Sequence, residues 1–129
     1  MSQMTAKKIL IVDDEANVRS LVSRTLSQRF LVLEAQDGEE AVKIARSQQP
    51  DLILMDLMMP RVDGNSACSI IKNDPATKQI PVVMMSGVGF ELNKKLSLAL
   101  GADGYITKPF SLPDLLQTIA QLLRLPAER

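Results

Sequence analysis

Five short apolar runs punctuate the chain: KILIV (8–12), LVLEA (31–35), DLILM (51–55), PVVMM (81–85) and GYIT (104–107). The first, third and fourth show no polar alternation, so they read as parallel strands covered on both faces. LVLEA carries Glu34 and reads as an edge strand. Between the runs, apolar residues recur at helical spacing. Val18, Leu21, Val22, Thr25 and Leu26 form one stripe within 16–29. Asp37-Gly38 opens a second helix, carrying Ala41, Val42 and Ala45, that ends before Pro50. A third helix is expected over 65–73, with Cys68 and Ile71 inward, and a fourth over 91–100, closed by Gly101. In the fourth, Leu92, Leu96, Ala99 and Leu100 project to one side, while Leu98 falls among Glu91, Lys94 and Lys95. Ser111 is the N-cap expected for a last helix over 112–124, whose stripe is Leu112, Leu115, Leu116, Ile119 and Leu123.

Strand and helix therefore alternate. Five parallel strands joined by right-handed crossovers make a three-layer, doubly wound (βα)5 domain of the α/β class. We expect a tail over 1–6, the domain over 7–124 and a second tail over 125–129. At 129 residues the chain holds one core rather than two.

Charge and composition then narrow the chemistry. Fifteen basic and fifteen acidic side chains cancel, which argues against direct nucleic-acid binding. No apolar run approaches the roughly 20 residues of a membrane span, so neither a span nor a signal peptide is expected. The sequence has no histidine and one cysteine, Cys68, which removes zinc sites and Ser–His or Cys–His nucleophiles. A single thiol cannot form an internal disulfide, and it fits a reducing, cytoplasmic setting. Cys68 itself reads as a small buried hydrophobe.

In doubly wound sheets the functional crevice lies beyond the carboxyl ends of the strands. The residues there are Asp13-Asp14-Glu15, Asp56, Ser86-Gly87 and Lys108-Pro109. Taken singly they have ordinary roles: a helix cap, a turn hydroxyl, a solvated lysine. Together on one edge they make a site. Clustered carboxylates call for a cation, and oxygen ligands without nitrogen or sulfur favour Mg2+. Mg2+ beside a carboxylate suits phosphoryl transfer, with Asp56 as the nucleophile that forms an aspartyl phosphate. Lys108 can pair with Asp56 and then with a phosphoryl oxygen, and the Ser86 hydroxyl can donate to another.

These stretches also resemble a known family. ILIVDDE (9–15), LILMDLMMPRVDG (52–64), VVMMSG (82–87) and GADGYITKPF (101–110) are similar, in order and spacing, to the four signatures of the response-regulator receiver domain. The resemblance implies a flavodoxin-like strand order, 2-1-3-4-5, and a role in two-component signal transduction. It implies that Asp56 is phosphorylated by a histidine kinase or phosphotransfer protein. Asp13 and Asp14 would hold Mg2+ with Asp56, helped by the backbone carbonyl of Met58. Ser86 and Lys108 would grip the phosphoryl group, and Tyr105 would be an aromatic switch. The Lys108–Pro109 peptide is expected to be cis. No enzyme activity is implied beyond self-phosphorylation and autodephosphorylation. Output would pass to a downstream protein target through a surface bearing Lys94, Leu98 and Tyr105. Oligomeric state is left open. Ser86 stands where Thr is commoner and Gly87 where Ala is more usual. Met58 and Val88 flank the expected path of a hydrolytic water; both are apolar, which predicts slow autodephosphorylation.

Other readings compete. An aspartate-nucleophile phosphatase of the haloacid-dehalogenase type wants a second acid two residues after the nucleophile, where this chain has Met58. A flavodoxin-like cofactor binder wants a Ser/Thr-rich loop after the first strand, where Asp13-Asp14-Glu15 would repel phosphate. A phosphorylation-independent interaction scaffold is the alternative that a phosphodonor experiment separates.

Overall fold

The computed structural model describes residues 6–59, 61–87 and 91–124, with the side chains of 91–93 excepted. Strand and helix alternate as the apolar pattern requires: β1 (Lys8–Val12), α1 (Ala16–Leu26), β2 (Leu31–Ala35), α2 (Gly38–Gln48), β3 (Leu52–Asp56), α3 (Gly64–Asn73), β4 (Val82–Ser86), α4 (Glu91–Ala99), β5 (Gly104–Thr107) and α5 (Leu112–Leu123). The strands form one parallel sheet in the order β2-β1-β3-β4-β5. The chain therefore winds outward from β1 to β2, then returns to β3 and continues the other way. The switch point lies between β1 and β3.

Both faces of the sheet are covered. Leu10, Val12, Ile53, Met55, Val82 and Met84 meet Ala41, Val42, Ala45, Ala67, Cys68 and Ile71 of α2 and α3. Ile9, Ile11, Leu52, Leu54, Val83 and Met85 meet Val22, Leu26, Leu115 and Ile119 of α1 and α5. Successive side chains of a strand point to opposite faces, so a strand covered on both sides must be apolar throughout. β2 does lie at an edge, and its exposed Glu34 pairs with Arg19 at 3.0 Å. Helix starts are set by local donors and acceptors. Asp37 accepts from the Glu40 N–H at 2.8 Å, Asp63 from Ser66 at 2.8 Å and Ser111 from Asp114 at 3.1 Å. Gly101, at φ +108°, follows α4 in the left-handed region that favours glycine.

The α1 and α5 stripes face the core as expected except at one residue each, and α4 departs further. Leu21, Leu96 and Leu112 are exposed, at 64%, 48% and 43%. In α1 the buried line is Val22–Leu26, spaced i, i+4, with Val18 half-buried above it; Leu21 lies one helical step off that line. In α5 the buried pair Leu115 and Ile119 follows the same spacing, and Leu112 sits on the exposed first turn. In α4 the expected Leu92 side chain lies outside the described residues; among those described Leu96 and Ala99 face solvent, and the buried side chain is the polar Ser97.

Candidate functional site

Parallel register delivers the site. Val12 stands opposite Met55, so Asp13 and Asp56 leave the switch point side by side. Asp56 stands opposite Met85, one residue before Ser86, and Ser86 stands opposite Thr107, one residue before Lys108. The Lys108 N–H then donates to the Ser86 carbonyl at 2.7 Å. Carboxylate oxygens of Asp13, Asp14 and Asp56 all lie within 4.8 Å of one another. The Lys108 ammonium reaches two of them, at 3.1 Å from Asp13 Oδ2 and 3.4 Å from Asp56 Oδ1. The Lys108–Pro109 bond is cis, as expected.

Asp13 is fully buried and held from several sides. Its Oδ1 accepts from the Glu15 N–H at 2.9 Å, and its carbonyl accepts from Arg19 Nη1 at 2.7 Å. Asp56 is nearly buried, whereas Asp14 is open to solvent. Burial pushes the Asp56 carboxyl above its ordinary pKa, Lys108 pulls it back part of the way, and Asp13 and Asp14 push it up again. Burial works against the Lys108 charge as well, but the carboxylates of Asp56 and Asp13 outweigh it and raise its pKa. Three carboxylates against one ammonium leave an excess of two negative charges in a half-buried crevice. An all-oxygen donor set with that excess fits a hard divalent cation that keeps part of its water shell.

Behind Asp56 the backbone is tightly packed. A Cβ on Gly64 would run into the Asp56 carbonyl oxygen, and the Gly64 N–H donates to the Leu57 carbonyl at 3.0 Å. A Cβ on Gly38 would likewise meet the Val62 carbonyl. Arg61, at φ +65°, places its guanidinium 3.7 Å from Asp37. The segment after Asp56 is thus pressed against two glycines.

The remaining expected residues are placed as follows. Ser86 is fully buried at the end of β4. Tyr105 stands opposite Met84, half-buried against the α2–α3 side of the core. Met58 is 69% exposed, two residues beyond Asp56. Lys94 and Leu98 are exposed on α4. Val88 lies outside the described residues. A groove of about 490 Å³ runs between β5 and α5, bordered by Tyr105, Thr107, Phe110, Gln117 and Gln121. It does not cover the acids, and the chemistry belongs to the strand ends. Arg19, Gly64 and Asn65 were not singled out from the sequence. Gly64 closes one of the quoted stretches, but the partners of Arg19 and Asn65 are set only by tertiary packing.

A model of the response regulator receiver domain matches residues 9–120, and the chain belongs to that family. The chemotaxis protein CheY of Halobacterium salinarum is 40% identical over 119 residues, covering 92% of this chain and 98% of that protein. The phosphate regulon transcriptional regulatory protein PhoB of Pseudomonas aeruginosa is 40% identical over 122 residues, covering 94% of this chain and 53% of the regulator. A probable transcriptional regulator, ycf27 of Guillardia theta, is 39% identical over 121 residues, covering 93% and 46%. The chain spans about half the length of those two regulators. Among solved structures, the Vibrio cholerae chemotaxis protein CheY4 superposes with a TM-score of 0.87 at 31% identity, covering 92% of this chain and 99% of its own. The receiver domain of the P. aeruginosa sensor histidine kinase PA1611, with magnesium coordinated in its active-site cleft, gives 0.86 at 26%, covering 93% and 99%. The chain is thus a receiver domain of two-component signalling, a class that works with histidine kinases and downstream targets rather than as an ordinary enzyme. Among the described residues no helix is long and apolar enough to cross a membrane.

Proposed function

We propose that Asp56 accepts a phosphoryl group from a phosphohistidine of a histidine kinase or phosphotransfer protein, in a Mg2+-dependent reaction that alters a protein-binding surface. The observation that carries this reading is the meeting of Asp13, Asp14 and Asp56 within 4.8 Å, with Lys108 bridging Asp13 and Asp56. Asp13, Asp14 and Asp56 would hold the cation, with the Met58 carbonyl as a further oxygen donor. Bound Mg2+ supplies charge neutralisation on the transferring group. An ionised Asp56 oxygen forms the new bond to phosphorus while the phosphorus–nitrogen bond of the donor breaks, its electron pair staying on the imidazole. Lys108 exchanges a carboxylate oxygen for a phosphoryl oxygen, and the Ser86 hydroxyl donates to another.

The product carries more charge and three acceptor oxygens where a carboxylate stood. Drawing Ser86 toward it opens room for the Tyr105 ring and repacks the surface that bears Lys94, Leu98 and Tyr105. Moving a 1:99 population to 99:1 needs about 5.5 kcal/mol, which a few charge-assisted hydrogen bonds and the cation can supply. A downstream protein reads that surface. The receiver unit is 7–124, flanked by 1–6 and 125–129.

The test is incubation with a small phosphodonor and Mg2+, followed by intact mass. The expected result is a phosphate-sized gain in the wild type that is lost in Asp56→Asn. No gain, or a gain that survives the substitution, contradicts the reading. Met58 exposes an apolar side chain that cannot orient an attacking water, so Met58→Asn should shorten the phosphorylated lifetime severalfold. An unchanged decay rate removes that role from Met58.

A further inference from the structure

Helix α4 meets the rest of the domain through a buried polar group, Ser97. Among its described side chains Lys94, Lys95, Leu96, Leu98 and Ala99 are exposed, and the residue without solvent exposure is Ser97. Helix α2, by contrast, buries Ala41, Val42 and Ala45. Leu96 and Leu98, at 48% and 43% exposure, bury only part of their surface and hold the helix less firmly than fully buried leucines would. A buried hydroxyl must keep a partner, because stranding it is costly. The Ser97 hydroxyl donates to Asn65 Oδ1 at 2.9 Å, across 32 residues of sequence. Asn65 lies in the first turn of α3, directly after Gly64, which packs without a Cβ against the carbonyl of Asp56. Contact is therefore continuous from the backbone of Asp56, through Gly64 and Asn65, to the buried Ser97 of α4.

We propose that the Ser97–Asn65 hydrogen bond is a latch that fixes α4 in its unphosphorylated position and ties that position to the backbone behind Asp56. Phosphorylation shifts the segment after Asp56, moves the start of α3 and releases Ser97, leaving Leu96 and Leu98 free to repack. Asn65 and Ser97 are positioning residues, since neither touches the reacting atoms. The latch rests on the reading of Asp56 as phosphoacceptor, but it predicts behaviour of the unmodified protein as well.

Amide hydrogen exchange on the full chain tests the first half. Ser97→Ala and Asn65→Ala should each speed exchange in α4 about fivefold, the factor set by one net hydrogen bond, and leave α2 unchanged. Alanine is the better helix former, so faster exchange in Ser97→Ala cannot come from lost propensity. The double variant should be no faster than either single one. Asn65→Asp keeps an acceptor oxygen and should retain wild-type protection. Unchanged exchange in both alanine variants, additive effects, or failure of Asn65→Asp to protect overturns the latch. Binding of beryllofluoride with Mg2+, a phosphoryl mimic, tests the coupling. Unlatched variants should bind about fivefold more tightly, because their competent state is more populated. Normal binding by the wild type with equal binding by the variants overturns the latch alone. No binding by the wild type defeats the phosphoacceptor reading and the latch with it.

Discussion

Where the strands begin, each acid has its own donors; where they end, the acids outnumber them. At the first edge Asp51 accepts from the Lys8 N–H at 2.7 Å. Asp103 takes both the Val82 N–H and the Lys72 ammonium at 2.9 Å, and Asp74 takes the Ala76 N–H and Arg46 at 2.9 Å. At the other edge Asp13 and Asp56 share Lys108, and Asp14 adds a third carboxylate within 4.8 Å of both. The titration of one residue type registers the contrast. The Ala76 N–H and Arg46 hold Asp74 below the ordinary aspartate value, whereas burial and two neighbouring acids drive Asp56 above it. Both edges are built from Asp, basic side chains and backbone, so stoichiometry separates them. A satisfied acid is structural, and an excess of acids awaits a ligand.

The comparison can be broken at either edge. Gly64→Ala should have the largest effect on stability. Its Cβ meets backbone rather than a yielding side chain, so a loss of about 3 kcal/mol in denaturant unfolding is expected. Asp103→Ala should lose about 2 kcal/mol, because it strands the Val82 N–H and leaves the Lys72 ammonium on the Ile80 carbonyl without its charge partner. Phosphodonor labelling of that variant should match the wild type, and slowed labelling would mean that the two edges are not independent. Asp56→Asn should work in the opposite direction and gain about 1 kcal/mol without Mg2+, a few degrees in Tm.

The sign of the last effect can be followed with pH. An acid with a raised folded pKa binds more protons in the native than in the unfolded state, so its ionisation removes stability as pH rises from the ordinary aspartate value through the folded one. Asp56→Asn should flatten that part of the stability profile. Lys108 contributes the reverse: its raised pKa gives stability that is complete below the ordinary lysine value and is lost as pH climbs through the folded value. A wild-type profile identical to that of Asp56→Asn on the acid side would remove the charge excess from the account.

Much of this was legible in the residue pattern. Continuous apolar strands required cover on both faces, and the parallel order then placed Asp13, Asp56, Ser86 and Lys108 on one edge. The faces of α1 and α5 were legible apart from Leu21 and Leu112, but the turn of α4 was not. Leu21 lies one step from Val22, and a short helix on a sheet buries a narrow line, so hydrophobicity alone does not choose between them. In α4 the choice went to Ser97 because its acceptor, Asn65, arrives from another helix. A hydroxyl's partner at that distance leaves no periodic trace in sequence. Gly64 was visible as a glycine, but only the packed backbone shows that it makes room for the Asp56 carbonyl.

The central claim is that the carboxyl edge carries an unmet negative charge suited to a divalent cation. Thermal unfolding across a Mg2+ titration tests it most directly. At a hundred times its dissociation constant, Mg2+ should stabilise the wild type by about 2.7 kcal/mol. Asp13→Asn and Asp56→Asn should lose most of that gain, while Asp103→Ala, at the satisfied edge, should keep all of it. An equal Mg2+ gain in all four proteins, or none in the wild type, would contradict the account.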